Sequence, residues 1–303
     1  MTLMMMSQFP DVSLTISQNL KILTAAAFKE HKDEYRSIIN VQSTDLNIEK
    51  MMRYEGPGTA PEKLEGRTAT QTRLYEGNIE TIRQSVFSFE LPVSWEQRKY
   101  ATSSSRFISQ LGAYNARSQK LRTEYQSINV INNGFSSSYA GYDGAAYFSA
   151  SHTWRSGGTY SNLLSSAVLG KDTLETALIA IADAKMEKSI PAALRAGQVT
   201  IGSANIFVLP ELTKSIRDPE TNNNAYNVFQ DFGLTKNINH YISSTNDYVI
   251  DTDVKTRTLF VSQKVEFTSY YDNPTKNLVE NSMSAMGAGF HDQLGSFASQ
   301  GGS

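Results

Sequence analysis

The stretch from residue 46 to about residue 85 constrains the fold more than any other part of the chain. It contains Gly56-Pro57-Gly58-Thr59-Ala60-Pro61, then Gly66 and Gly77, with few large aliphatic residues between them. Six acidic side chains (Glu49, Glu55, Glu62, Glu65, Glu76, Glu80) alternate with six basic ones (Lys50, Arg53, Lys63, Arg67, Arg73, Arg83). Glycine and proline forbid a long helix, and the apolar area is too small to offset the entropy of ordering a separate core. The segment is also too long for an idle connector inside a compact domain. Two readings stay open from these residues alone: an extended two-stranded loop projecting from a body, or a disordered linker. The adjoining residues favour the loop. Phe87, Phe89, Leu91 and Val93 point one way and Ser88, Glu90 and Ser94 the other, as in a half-buried strand leading out of it.

The rest of the chain organises around that projection. Residues 1–45 hold one amphipathic stretch, from Ser13 to about Tyr35, with Leu20, Leu23, Ala27 and Phe28 on one side. That is an arm with a modest apolar stripe and no core of its own. Pro92 halts the strand, and Ser94 with Gln97 forms a capping box that opens a long helix over about 94–130. Phe107, Leu111, Tyr114, Leu121, Tyr125 and Ile128 recur at spacings of three and four and predict its buried face, interrupted only by Ser118. Such a helix is a rod of roughly 50 Å. A coiled coil would use the same stripe, but the flanking positions lack regular opposite charges.

Residues 131–170 are rich in turns, including Asn133-Gly134 and Asp143-Gly144, the dipeptides that tight hairpins need. A second helix is predicted from Asp172, with Asp172 and Glu175 as its capping pair and Leu174, Leu178, Ile181 and Ala182 as its face. A strand is expected over 204–209, ending at Pro210, and strand character returns from Thr256. The Gly-, Ser- and Ala-rich end of the chain, 291–303, is expected to be mobile.

Composition narrows the function classes. Lys plus Arg number 28 and Asp plus Glu 30, a net charge of −2, which disfavours a chain whose main task is neutralising phosphate or an acidic membrane. There is no cysteine, so disulfides, thiolate metal sites and a cysteine nucleophile are excluded. Ser, Thr, Asn and Gln together make up 94 of 303 residues against 19% charged, so uncharged polar groups must cover much of the surface, as suits extensive self-contact. The first twenty residues carry no Lys or Arg and no sustained apolar block. The longest apolar run, Ala177-Leu178-Ile179-Ala180-Ile181-Ala182, is far too short to span a bilayer, so the expectation is a soluble chain of a cytoplasm-like compartment.

Catalytic patterns are missing. His31, His152, His240 and His291 show no metal-ligand spacing, and neither a Gly-x-Ser-x-Gly elbow nor a nucleotide-binding glycine loop occurs. Ser149 and Ser151 beside His152 invite a nucleophile–base reading, but sequence neighbours seldom form such a dyad, and a hydrogen-bonded loop histidine is the simpler expectation. No catalytic, metal or cofactor-binding residue is therefore assigned.

The segment Tyr142-Asp143-Gly144-Ala145-Ala146-Tyr147-Phe148-Ser149-Ala150-Ser151-His152, followed by Gly157-Gly158-Thr159-Tyr160-Ser161-Asn162-Leu163-Leu164, resembles tailed-bacteriophage major capsid proteins, especially those similar to the Mu-like major head subunit. Residues 172–186 and Ile206-Phe207-Val208-Leu209-Pro210-Glu211-Leu212 resemble the helix and strand that come next in that family. The likeness covers most of 13–290. It implies an α+β, Johnson-type phage capsid fold: an N-terminal arm (1–45), an extended E-loop (46–85), a peripheral (P) domain (86–145 and 256–290) with the spine helix, an axial (A) domain (146–255) and a tail.

The resemblance implies a structural subunit, not an enzyme, that assembles as hexamers and pentamers of an icosahedral shell around double-stranded DNA. The candidate inter-subunit contacts are Arg53, Glu62, Lys63, Glu65, Arg67, Arg73 and Glu76, each ion pair being weak but repeated at every interface. Glycine hinges at 56–58 and near Gly77 would let the loop adapt between the two oligomers. Implied partners are a portal protein, a decoration protein as an optional addition, and DNA bound without sequence specificity. The arm is too short for the large scaffolding segment some members carry, so a separate scaffolding protein is expected. The implied location is the virion, assembled in host cytoplasm. Lys63 with Glu62, Glu65 and Asn273 or Asn277 superficially matches the covalent crosslink of some relatives, but such residues meet by chance in charged loops, and no crosslink is expected. An encapsulin-like compartment and a tail-tube or sheath subunit are the alternatives.

Overall fold

The computed structural model describes residues 32–301 except 57, 72–74, 101–103, 156, 217–225 and 245. The amphipathic stretch expected over 13–35 therefore lies mostly outside the described residues. Its last part is a single 3-10 turn, Tyr35–Ser37, that leads into strand β1 (Asn40–Ser43).

The charged segment is a two-stranded antiparallel projection, β2 (Ile48–Glu55) and β3 (Tyr75–Arg83), as its composition predicts. The chain continues directly into β4 (Ser85–Val93), helix α1 (Trp95–Tyr100) and helix α2 (Ser104–Asn132). The capping box forms as expected: Gln97 N–H donates to Ser94 Oγ, and the Gln97 side chain accepts from Ser94 N–H.

A long hairpin dominates the first sheet. Strand β10 (Arg257–Tyr271) pairs antiparallel with β11 (Leu278–Phe290), in the order β1-β10-β11-β4, with β1 parallel to β10. Helix α2, 29 residues and about 43 Å long, packs against β11, whose 13 residues reach a similar length of about 43 Å.

The helix does not bury the expected stripe. Tyr114 is 64% exposed and Tyr125 47%, while Asn115, Gln119, Thr123, Glu124 and Ser127 are buried instead. The face turned to β11 is polar because the strand offers partners: Gln119 Nε2 donates to Ser282 Oγ at 2.8 Å, Ser284 Oγ to Gln119 Oε1 at 2.9 Å, and Ser282 Oγ to Asn115 Oδ1 at 2.6 Å. Each of these bonds offsets part of the cost of taking the polar groups out of water. Two members of the stripe behave as predicted: Leu111 packs against Val93 and Leu278, and Ile128, with Ile131, enters a core containing Tyr147, Phe148 and Phe290.

The second sheet has the order β12-β9-β7-β8: β7 (Ala196–Ile201), β8 (Thr235–Ile238), β9 (Tyr248–Thr252) and β12 (Ser296–Ser299). Helices α3 (Lys171–Ala182) and α4 (Val208–Lys214) close its core through Leu174, Leu178, Ile181, Leu209 and Leu212. A small ribbon, β5 (His152–Thr153) with β6 (Thr159–Tyr160), lies at its margin.

Three local expectations are corrected. The stretch 204–209 is not a strand: it holds a 3-10 turn and then α4, with Leu209 and Leu212 buried three apart and Phe207 83% exposed. Pro210 is tolerated because it sits in the first turn, where its missing N–H has no helical partner anyway. Helix α3 is capped from Gly170, whose N–H donates to Thr173 Oγ1 at 2.7 Å, not by Asp172 and Glu175. The end of the chain is no mobile tail. Ser296, Phe297, Ala298 and Ser299 are all buried in β12, antiparallel to β9. Its small residues serve close packing: a Cβ at Gly295 would strike the Val254 carbonyl, and one at Gly301 the Asn246 carbonyl.

Candidate functional site

Two features stand out: the projecting hairpin and the buried motif beside its root. Residues 60–71 of the projection are exposed throughout, and they include Glu62, Lys63, Glu65 and Arg67. Glu76 is also exposed. Arg73 lies outside the described residues. The structure thus brings four of the predicted contact residues together at a solvent-facing tip and a fifth lower down.

Arg53 sits apart from the tip. Its guanidinium pairs with the Asp292 carboxylate and lies 4.3 Å above the centre of the Trp154 ring, so it is engaged within its own chain. It belongs to the root of the hairpin. There Gly56 N–H donates to Glu187 Oε1 at 2.6 Å and Arg155 Nη1 to the Glu76 carbonyl at 2.9 Å. Gly77 has a packing role. It sits beside the register shift of the β2–β3 ladder, where a Cβ would collide with the Arg53 carbonyl. The root is fixed to the body while the tip is presented to solvent.

The motif that carries the family resemblance forms a buried polar network. Asp143 opens a turn in which Gly144 takes φ +75° and Ala145 N–H donates to Asp143 Oδ1 at 3.1 Å. Its other oxygen meets His152 Nδ1 at 2.6 Å, both side chains being almost wholly buried. Asn162 completes the set. Its Oδ1 accepts from Ser149 N–H at 2.9 Å and from His152 Nε2 at 3.0 Å. Its Nδ2 donates to the carbonyls of Tyr147, Gln293 and Ser296 at 2.8, 2.9 and 3.2 Å. Tyr160 stacks on both His152 and Trp154 and donates to Gln293 Oε1 at 3.0 Å.

Burial pushes the Asp143 carboxyl upward, but the hydrogen bonds from His152 and Ala145 outweigh it and hold the group below the usual carboxylate range. Glu80, on β3, is driven the other way, to about 7, by burial, with the Asp143 charge adding to the rise.

This is staple chemistry. Neither ring nitrogen of His152 engages a serine hydroxyl; they hold Asp143 and Asn162, in line with the simpler expectation of a hydrogen-bonded loop histidine. Ser149 Oγ lies against the Ser151 carbonyl instead. Asn162 itself was visible in the sequence only as part of the family motif, and Gln293 and Ser296 carried no signal at all. Among the described residues no group of acidic and histidine side chains is arranged to hold a metal ion, and no helix is long and apolar enough to cross a membrane.

The same architecture recurs in solved structures. The mature capsid of bacteriophage PhiM1 superposes with a TM-score of 0.56 at 12% identity, over 89% of this chain and 87% of that one. The chain has the fold of tailed-phage capsid subunits. The procapsid of bacteriophage JBD30 gives 0.54 at 12% identity over 96% of this chain and 75% of that one. The capsid of a native GTA particle gives 0.53 at 10% identity over 89% and 90%. No protein-family model and no curated sequence matches the chain.

Proposed function

We propose that this chain is a major capsid subunit, of the kind similar to Mu-like head proteins, that builds a closed icosahedral shell around double-stranded DNA. The observation that carries the reading is the hairpin. Its root is pinned to the body by Arg53, Gly56 and Glu76, while its tip presents twelve successive exposed residues, 60–71, that do nothing for the isolated fold. An exposed, charge-bearing projection on a fixed root is suited to lying across another subunit. The peripheral unit is then the long hairpin with α2, and the axial unit the second sheet with α3 and α4. Glu62, Lys63, Glu65, Arg67, Arg73 and Glu76 are the charges offered to neighbours in hexamers and pentamers. A scaffolding protein, a portal, an optional decoration protein and the packaged genome complete the assembly, in host cytoplasm and then in the virion. No covalent stitch is proposed, so boiled particles run as the 33.6 kDa monomer.

Electron microscopy of the purified, assembled protein tests the reading: closed shells support it, and tubes or rings point to a tail component. Shells filled with protein cargo instead of DNA would mark a compartment. A second arm replaces residues 60–71 by a Gly-Ser turn. Halving the loop changes closure entropy by only about 0.6 kcal/mol, so the monomer should melt almost as before while shell formation fails. Normal shells from the shortened chain would remove the support drawn from the hairpin.

A further inference from the structure

Helix α2 carries a local charge asymmetry. Arg106, Arg117, Lys120 and Arg122 stand on it against the single acid Glu124, in a chain whose net charge is −2. Between α2 and the base of β3 a cavity of about 410 Å³ opens to solvent. Its lining combines Arg83 of β3 with Arg122, Gln126 and Asn129 of α2 and Asn133 just beyond the helix. The last four recur at spacings of four, three and four, so they form one stripe that runs about 17 Å along the helix direction. The Arg122 guanidinium is steadied 3.9 Å above the centre of the Phe87 ring, and its Nη2 donates to Gln126 Oε1 at 3.2 Å. Arg83 and Arg122 are both exposed, and among the described residues no carboxylate lies within ion-pair distance of either. Glu80 is the one acid in the described lining; burial pushes its pKa up to about 7, so it holds its proton below that pH.

The far face of the first sheet has the opposite character. Ser282 and Ser284 of β11 turn toward α2, so Asn281 and Met283 turn away from it. Across the ladder Asn281 lies beside Glu90 and Thr268, and Met283 beside Ser88 and Glu266. This face exposes two carboxylates, Glu90 and Glu266, and none of the six positions is Lys or Arg. We propose that the cavity between β3 and α2 seats backbone phosphates of a DNA duplex, Arg83 and Arg122 supplying the charge and Gln126, Asn129 and Asn133 the amide donors. Guanidinium groups match phosphate oxygens with paired N–H bonds, and asparagine and glutamine amides serve as phosphate donors. The contacts are to the backbone alone and carry no sequence preference. The α2 side of the subunit then faces the genome, and the carboxylate-bearing face turns away from it. The choice of occupant rests on the shell reading, since an enclosed genome is the polyanion such a subunit meets.

The test is the salt dependence of duplex binding by the full-length, unassembled chain. A labelled duplex of about 30 base pairs is titrated below pH 7, between about 50 and 200 mM salt, and followed by fluorescence anisotropy. Each phosphate neutralised adds about 0.9 to the steepness of log K against log salt. Arg83→Gln with Arg122→Gln should therefore flatten the slope by about 1.8 and weaken binding about tenfold or more at the lowest salt. Arg83→Lys with Arg122→Lys should keep most of the slope, because the charges remain. Lys63→Gln with Arg67→Gln removes two charges from the projection tip and should leave the slope unchanged. Thermal melts check that each variant is folded. An equal loss in the tip pair, or an unaltered slope in the Arg83 and Arg122 pair, overturns the proposal. So does a parent chain that ignores the duplex and binds a polyglutamate peptide through the same arginines, which would assign the cavity to an acidic protein segment. Electron micrographs read the shell separately. Closed shells from a chain that fails the salt test refute the phosphate seat and spare the shell reading, whereas tubes or rings from a chain that passes it keep the seat and refute the shell.

Discussion

Replacing Asn162 by alanine should be among the most damaging single changes to the isolated subunit. The side chain is fully buried and serves Ser149 N–H, His152 Nε2 and the carbonyls of Tyr147, Gln293 and Ser296. Truncation strands at least four buried groups, each worth about 1–3 kcal/mol when left without a partner. The vacated space is polar and can admit a water that recovers part of that loss. The net expectation is about 3–5 kcal/mol, a large share of the roughly 5–15 kcal/mol that typically separates folded from unfolded states. With a slope near 3 kcal/mol per molar, the urea midpoint should fall by about 1 M or slightly more. Asn162→Asp is the companion variant. It keeps the volume and the acceptor toward Ser149 and His152, but turns an oxygen toward three carbonyls, so it should cost as much as alanine. The assay is urea unfolding of unassembled protein followed by far-ultraviolet circular dichroism. If Asn162→Asp unfolds like the parent, the amide donors carry no energy and the staple reading is refuted.

Glu124, buried on α2, has its pKa lifted from 4.5 to about 7, chiefly by burial and against the Glu34 N–H it accepts. Because the folded state holds this proton more tightly than the unfolded chain, its contribution is complete below about pH 4.5 and is lost as pH rises through 7. Glu124→Gln should therefore gain about 1–2 kcal/mol on the parent between pH 5 and pH 8, read from paired thermal melts; an equal difference at both pH values would contradict the assignment. Gly77→Ala should open the β2–β3 ladder where its Cβ meets the Arg53 carbonyl. Limited proteolysis should cut the projection faster with little change in the melting temperature of the body, and shell assembly should fail.

The projection was legible in the sequence because its signals are local: glycine, proline and alternating charge over 46–85, then the Ser94–Gln97 box. Helix α2 was legible as a helix but not in its orientation. Apolar periodicity assigns the buried face on the premise that the partner is apolar, and here the partner strand carries Ser282 and Ser284. The run 278–290 gave no strand signal because its alternation is diluted by Gly287, Gly289 and alanines, which matter only once β3 lies over them. The same holds for the end of the chain, where small residues that suggest mobility fill a place with no room for larger ones. Of the candidate contacts, the tip charges were legible from composition. The pairing of Arg53 with Asp292, 239 positions away, was beyond the reach of any local pattern.

The joint between α2 and β11 has a mechanical consequence. A seam filled by interlocking apolar side chains resists sliding through its volume, since any displacement opens voids and compresses neighbours. The seam of Asn115, Gln119, Ser282 and Ser284 resists through direction instead. Sliding the helix by about one turn, roughly 5.4 Å, breaks these bonds together yet brings the next polar side chain of the same face opposite the strand's hydroxyls, ready to re-form in a new register. Such a joint is stiff under small loads, yields abruptly at a threshold and locks again after the slip. The long helix is thereby held as a ratchet would hold it, with discrete stops along the strand.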